Sequence, residues 1–467
     1  MSLRKIILFF IIVLLTITLP VIFFFSFQYF SKASAVKADI VIDLKRTTKP
    51  VPNRWLALAQ GGEEKGVRML ENVVPEVSAL NPQYIRLDHI YDYYDVVSRD
   101  EKGSLVFNWA QLDATICDIY QIGAKPFFSL GYMPPVMSSD GSLIAVPSDW
   151  QEWKNLVQKT VERYSGKTTR LCGQITGDWM KDIYYEVWNE PDLETFGKWS
   201  LYEGSKDYKT LYYYSVLGAS QAQEINNYFI GGPVPTALYK NWIQVFLNYV
   251  SRNNLRVDFL SWHHYSKNTD DFTDDAGNLN SWLSPPEFSR YQSLPRIISE
   301  WGYDSEPNPI ADTNVGAAHT IAALRNFLRY NFTLGFLFDI KDGPTPRWGI
   351  LGHNGEKKPR YYALKLLSLL EGTWINIEGE GTFVHGLAST SANKTALVLV
   401  NYDKDNKNTE LVPVTFLNLA NGSYTMTITY LEGNPTIIKN TLVENGQLQK
   451  SILIPANTVV AIELKLE

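Results

Sequence analysis

Two hydrophobic rhythms alternate along residues 55–370. Short, nearly continuous apolar runs occupy 55–60, 84–88, 125–130, 183–189, 229–232, 257–265, 296–300 and 333–339. Runs of this length and density read as strands buried on both faces. Between and after them, segments 63–80, 109–122, 150–164, 208–225, 242–253, 286–294, 315–330 and 361–370 carry helical patterns. Ser148-Asp149 ahead of the third helix and Gly123 behind the second are start and stop signals. Eight strands, each followed by a helix, predict an α/β fold of the (β/α)8 TIM-barrel kind. From about Gly372 the helical period ends. Alternating stretches at 395–402, 423–430 and 459–466, separated by Asn, Asp and Gly, predict a C-terminal β-sandwich, with 39–44 as a candidate extra strand. The expected organisation is an N-terminal stub and apolar segment (1–30), a linker (31–50), a catalytic barrel (51–371) and the sandwich (372–467).

Residues 6–30 are almost unbroken apolar sequence preceded by Arg4 and Lys5, long enough to span a bilayer. An uncleaved transmembrane anchor is the favoured reading. Ala33-Ser34-Ala35 resembles a cleavage site and keeps a signal peptide as the alternative. Either way the rest of the chain is expected outside the cytoplasm, tethered to the membrane or secreted. The net charge of −6, with no basic block in the folded part, argues against nucleic acid as a partner. Aromatic residues make up 13% of the chain; most belong to a core, although flat rings also suit the C–H faces of sugars. The two cysteines, Cys117 and Cys172, have no metal-ligand spacing. Cys117 reads as a core residue on an apolar helix face, with a Cys117–Cys172 disulfide as the alternative. Six scattered His and no glycine-rich nucleotide loop after any strand leave no metal or cofactor expected. Oligomeric state is not encoded in any pattern here.

The chemistry gathers at two strand ends. Tyr184-Tyr185-Glu186-Val187-Trp188-Asn189-Glu190-Pro191 ends in an Asn-Glu-Pro corner, and Arg296-Ile297-Ile298-Ser299-Glu300-Trp301-Gly302 also ends in a carboxylate. Strands four and seven face each other across a barrel mouth, where functional side chains collect. Glu190 and Glu300 are therefore the candidate pair for cleaving a glycosidic bond, which needs one protonated and one ionised carboxyl group. Arg86 at the end of strand two and Tyr265 at the end of strand six are placed to keep Glu300 an anion. Trp188 and a neighbouring carboxylate are expected to raise the pKa of Glu190. Glu190 is thus assigned as acid/base and Glu300 as nucleophile. Asn-Glu-Pro alone is a weak signal, because Glu before Pro is common in turns, and Ser-Glu-Trp alone is a weaker one; the force of the reading lies in their joint placement.

With these blocks in hand the chain resembles the retaining β-glycosidases of the clan A barrels, and most closely glycoside hydrolase family 39, which contains β-xylosidases and α-L-iduronidases. The resemblance runs from Tyr84 to Gly372. It is carried by Gly131-Tyr132-Met133-Pro134, by Glu186 to Leu193, by Gly231-Gly232-Pro233 and by Asp258-Phe259-Leu260-Ser261-Trp262-His263-His264-Tyr265. It implies that Asn189 bonds the sugar 2-hydroxyl, that His263 and Tyr265 line the glycone site and orient Glu300, and that Arg86 holds the nucleophile's charge. Departures fall on sugar-contacting positions. Asp88 stands where the family often has His, with His89 displaced by one, and Ser129 stands where Glu is frequent. Strand eight lacks the usual Trp, and Trp348, from the loop that follows, is the candidate substitute. Trp301 completes the expected substrate-binding set.

The sequence reading is thus a glycosidase acting on extracellular oligo- or polysaccharide, β-xyloside-like or related. The alternatives are a non-catalytic cell-surface carbohydrate-binding barrel and a transglycosylase using the same residues. A strand-eight loop taken as short leans toward an open, endo-acting groove. The C-terminal domain is expected to pack against the barrel rather than to bind glycan.

Overall fold

The computed structural model describes residues 35–467 apart from 62, 63, 178 and 203. The predicted membrane segment, 6–30, lies outside the described residues. Among those described, no helix is long and apolar enough to cross a membrane.

Eight parallel strands close into a barrel: Leu56–Gln60, Pro82–Leu87, Lys125–Leu130, Ile183–Val187, Tyr228–Pro233, Phe259–Tyr265, Arg296–Gly302 and Leu334–Phe338, here numbered barrel strands one to eight. Each overlaps a predicted run. Side-chain alternation sorts every strand into an outward set, packed on helices, and an inward set. The lower interior is filled by Ala57, Tyr84, Phe127, Tyr184, Phe259, Ile297, Leu334 and Phe336, a layer of rings and branched chains that leaves a floor rather than a pore. Above that floor the inward positions turn polar: Arg86 and Asp88 on and after strand two, Glu186 on strand four, Ser261, His263 and Tyr265 on strand six, and Glu300 on strand seven.

The helices agree less evenly. Helices Ala110–Ile122, Trp150–Tyr164, Tyr208–Gln221, Lys240–Arg252, Asn314–Arg329 and Pro359–Leu367 occupy predicted segments. Asp149 caps the second of these by accepting the N–H of Gln151, and Gly123 ends the first in the left-handed region (φ 83°). The long helix expected at 63–80 shrinks to Val74–Ser78. Gly66 with φ 75° interrupts its start, yet Met69, Leu70, Val73 and Val77 are buried all the same. The helix expected at 286–294 is a 3-10 segment, Pro286–Tyr291, and the main helix after strand six is Asp271–Trp282. Its acidic first turn disguised it, although Phe272, Ala276, Leu279 and Leu283 are buried at helical spacing.

The second domain is one nine-stranded sheet. Where the alternation predicted a sandwich, a continuous sheet curls so that strands from both of its ends contribute to a single core of Ile40, Ile42, Leu397, Leu399, Val414, Phe416, Met426, Ile462 and others. Strand Ile40–Pro50 joins it, antiparallel to Thr373–Glu378 and parallel to Glu410–Leu417. Val398, Val400, Val459 and Ala461, on the opposite face, share the barrel's own hydrophobic core. Cys117 and Cys172 form a disulfide from helix Ala110–Ile122 to the small hairpin Arg170–Leu171/Gln174–Ile175, in place of the free core cysteine expected.

Candidate active site

Arg86 organises the barrel mouth. It is 1% exposed, and each guanidinium nitrogen has its own acceptor. Nε donates to Glu186 Oε2 (2.9 Å), Nη1 to Glu300 Oε1 (2.7 Å) and Nη2 to Asn189 Oδ1 (2.8 Å). One cation thereby ties strand two to strands four and seven. Charges on Glu186 and Glu300 outweigh the cost of its burial and leave it firmly protonated. Asn189 in turn donates to the hydroxyl of Tyr132 (2.9 Å), which fixes the orientation of its amide.

Glu300 points inward because strand seven is irregular. Ile297 faces the interior and Ile298 faces the helices; strict alternation would send Glu300 outward. A register shift against strand six pairs Trp262 with Ile298 but His263 with Glu300, passing over Ser299. Bulges of this kind re-aim side chains beside active sites. Glu300 then accepts from Arg86 on Oε1 and from the Tyr265 hydroxyl on Oε2 (3.0 Å), while His263 Nδ1 lies 3.4 Å from Oε2.

Glu190 is built differently. It lies beyond the end of strand four, in a corner where Trp188 (φ 74°) and Glu190 itself (φ 41°) have left-handed backbone. Such conformations are costly for side-chain-bearing residues and persist where their surroundings hold them. Trp188 is fully buried and donates its indole N–H to the Phe196 carbonyl (2.8 Å), which anchors the corner. Glu190 Oε1 sits 2.8 Å from His263 Nδ1, so the one imidazole contacts both carboxyl groups. Ligand atoms of Glu190, His263 and Glu300 all lie within 4.8 Å of one another. This donor set also suits a divalent cation, but Arg86 already holds one of its carboxylates.

The electrostatics reverse one expectation. The Glu300 carboxyl, expected to be held as an anion by Arg86 and Tyr265, is pushed above the ordinary carboxylate range: burial raises it, and the Glu190 and Asp88 charges add to this against the pull of His263 and Arg86. Burial alone would lower the His263 pKa, but the Glu300 and Glu190 carboxylates raise it overall. Burial and the Glu300 charge keep the Tyr265 phenol protonated, hence a donor.

The structure brings Arg86, Asn189, Glu190, His263, Tyr265 and Glu300 together. Asp88, two positions beyond Arg86 on the same face, is 8% exposed and its charge acts on Arg86, Glu300 and Tyr132. His89 borders the mouth, with Nδ1 on Asp92 Oδ2 (2.7 Å) and its ring stacked on Tyr93 and leaning on Tyr132. Trp301 does not belong to the site. Next to Glu300 on its strand, it faces the opposite way and packs on Phe272 and Phe327, with no exposure. His264 likewise turns away, to Asp275 Oδ2 (2.6 Å).

Trp348 is half-buried and meets Phe338, at the end of strand eight, edge to face. Residues 339–358 separate that strand from its helix, so the loop is long, not short. Asp342 Oδ1 accepts the N–H groups of Arg347 (2.9 Å) and Gly349 (2.8 Å), and Arg360 donates to the Trp348 and Gly349 carbonyls. Trp348 therefore stands on a braced loop. Two residues of the cluster went unassigned in the sequence reading. Glu186 and Tyr132 are the partners of Arg86 and Asn189, and the signal for Glu186 was a charged residue at an inward position of an otherwise apolar strand.

The model of Glycosyl hydrolases family 39 matches residues 39–441. A beta-xylosidase of Caldicellulosiruptor saccharolyticus is 26% identical over 354 residues, 69% of this chain and 69% of that protein. One from Geobacillus stearothermophilus is 24% identical over 324 residues, which are 62% of this chain and 61% of the relative. Among solved structures, the GH39 enzyme from Xanthomonas axonopodis pv. citri superposes with a TM-score of 0.76 at 18% identity, over 94% of this chain and 99% of that one; this likeness is one of fold.

Proposed function

This chain belongs to glycosyl hydrolases family 39 and is a glycosidase, and from that premise we propose that it cleaves β-xyloside-like O-glycosidic bonds with retention of configuration. One observation carries the proposal: carboxyl oxygens of Glu190 and Glu300 approach within 4.8 Å across the barrel mouth. A retaining enzyme needs its two carboxyl groups about 5–5.5 Å apart, whereas an inverting one needs roughly 6.5–9.5 Å to admit a water.

In this mechanism Glu300 attacks the anomeric carbon. Arg86 and Tyr265 fix both of its oxygens, so the attacking lone pair is aimed before substrate arrives. Glu190 gives its proton to the leaving oxygen, then takes one from the water that releases the glycosyl-enzyme. His263, beside both carboxyls, holds them at their working separation. Asn189 is turned by Arg86 and Tyr132 to meet the sugar 2-hydroxyl, a contact that tightens as positive charge grows on the ring. Phe338 and Trp348 offer ring faces on the strand-eight side, in place of the missing Trp.

The reading includes a place outside the cytoplasm, with residues 6–30 as anchor or signal. The Cys117–Cys172 disulfide supports this, since such bonds persist where thiols are oxidised. The test is a panel of aryl β-xyloside, β-glucoside, β-galactoside, β-mannoside and α-L-arabinopyranoside, with Glu300→Gln as control. Hydrolysis of the β-xyloside, lost in the variant, is expected. Activity untouched by the variant would refute the assignment.

A further inference from the structure

If Glu190 delivers the proton, the glycosidic oxygen lies against it and the leaving group extends over the loops that follow strands four and five. The next inference rests on that assignment. The loop after strand five starts beside the site: the His263 N–H donates to the Pro235 carbonyl (2.9 Å). Thr236, one residue on, is locked to Asp192, two positions after Glu190. Its N–H donates to Asp192 Oδ1 (2.9 Å) and its hydroxyl to Oδ2 (2.6 Å). The same hydroxyl lies 3.3 Å from that of Tyr239.

Tyr239 is thus tied, through two side chains, to the corner that carries Glu190, yet its residue surface is 42% exposed. It directly precedes helix Lys240–Arg252, whose apolar residues Trp242, Ile243 and Phe246 face the core. Packing accounts for those rings but not for an open aromatic fixed by its hydroxyl at the rim. Leu193, on the strand-four side of the same rim, is 41% exposed. Rigid aromatic faces with few rotatable bonds make good contact surfaces at low entropic cost, and the C–H face of a pyranose is the matching shape.

We propose that Tyr239 is the platform of an aglycone subsite that receives a pyranose unit, so that the leaving group is a sugar residue of an oligo- or polysaccharide rather than a small alcohol. The glycone is held by the site around Arg86, and the next residue of the chain lies on Tyr239 as its glycosidic oxygen takes the proton from Glu190.

The test compares xylobiose with β-D-xylopyranosyl fluoride, which has the same glycone and no aglycone to stack. In Tyr239→Ala the ratio of kcat/KM for xylobiose to that for the fluoride is expected to fall about tenfold, whereas Tyr239→Phe, which keeps the ring, holds it within about threefold. An unchanged ratio in Tyr239→Ala, or a wild-type protein that cleaves the fluoride but not xylobiose, overturns the subsite and leaves the glycosidase assignment standing. A wild-type protein that cleaves neither contradicts the proposed function, and the subsite falls with it.

Discussion

Glu190 and Glu300 approach from opposite sides of one barrel mouth, and their settings differ. Glu300 is part of a strand, re-aimed by a bulge and 6% exposed, with one donor on each oxygen. Glu190 lies past the end of its strand, in a left-handed corner, with its side chain 13% exposed and, among the described residues, only His263 bonded to it. A carboxyl clamped at both oxygens is positioned to attack along one line and has little room to exchange protons. One held through a single oxygen beside the cleft can give a proton and take it back. The contrast lies in attachment rather than in sequence, since each is an ordinary Glu at a strand end.

Substitution should separate the two. Glu300→Gln is expected to lower kcat on every aryl glycoside by roughly 10⁴-fold or more, whatever the leaving group. Glu190→Gln should cost about 10²–10⁴-fold on substrates with poor leaving groups and far less on 2,4-dinitrophenyl glycosides, whose leaving group needs no proton. Steady-state kinetics across a leaving-group series would read the difference, and equal dependence in both variants would break it.

The clamp can be tested by stability. Arg86→Met leaves Glu186 and Glu300 buried without their counter-ion and should destabilise the fold by about 3–5 kcal/mol, seen as a lower Tm. Adding Glu186→Gln should recover part of that loss. The Cys117→Ser/Cys172→Ser pair should cost about 2–4 kcal/mol with kcat unchanged, because that bond joins a helix and a hairpin of the outer layer.

The smallest effect concerns pH. Glu300 must be ionised to attack, and burial, with help from Glu190, raises its pKa. The acid limb of kcat/KM is therefore expected above the ordinary Glu value of about 4.3, with activity lost as pH falls through it. Glu190 must carry its proton in that same competent form, so Glu190→Gln should leave the acid limb in place and remove the alkaline one. An alkaline limb that persists in Glu190→Gln would show that another group delivers the proton.

Much of this architecture was legible as pattern. Eight apolar runs gave eight barrel strands, because a parallel strand covered on both faces has almost no polar positions with which to disguise itself. Arg86 and Tyr265 were legible as polar residues at strand ends, whereas Asn189 and His263 were legible only through the family resemblance; the structure brings all four to the mouth. What escaped was whatever depended on register or on distant partners. Strict alternation cannot foresee the bulge at Ser299, so the direction of Trp301 was misread along with its role. Glu186 was hidden inside an apolar run, and only the fold brings Arg86 to it. Helix Asp271–Trp282 was lost because Asp271, Asp274 and Asp275 drew attention from the apolar spacing. The upward shift of the Glu300 pKa could not be read either, since it follows from burial in the mouth.

The central claim is that Glu300 attacks the sugar and forms a covalent intermediate. Incubation with 2,4-dinitrophenyl 2-deoxy-2-fluoro-β-D-xylopyranoside, which forms the glycosyl-enzyme readily but releases it slowly, followed by peptide mass spectrometry, tests this most directly. The account predicts a stoichiometric adduct on Glu300. An adduct on Glu190, or an active enzyme that accumulates none and releases product with inverted configuration, would contradict it.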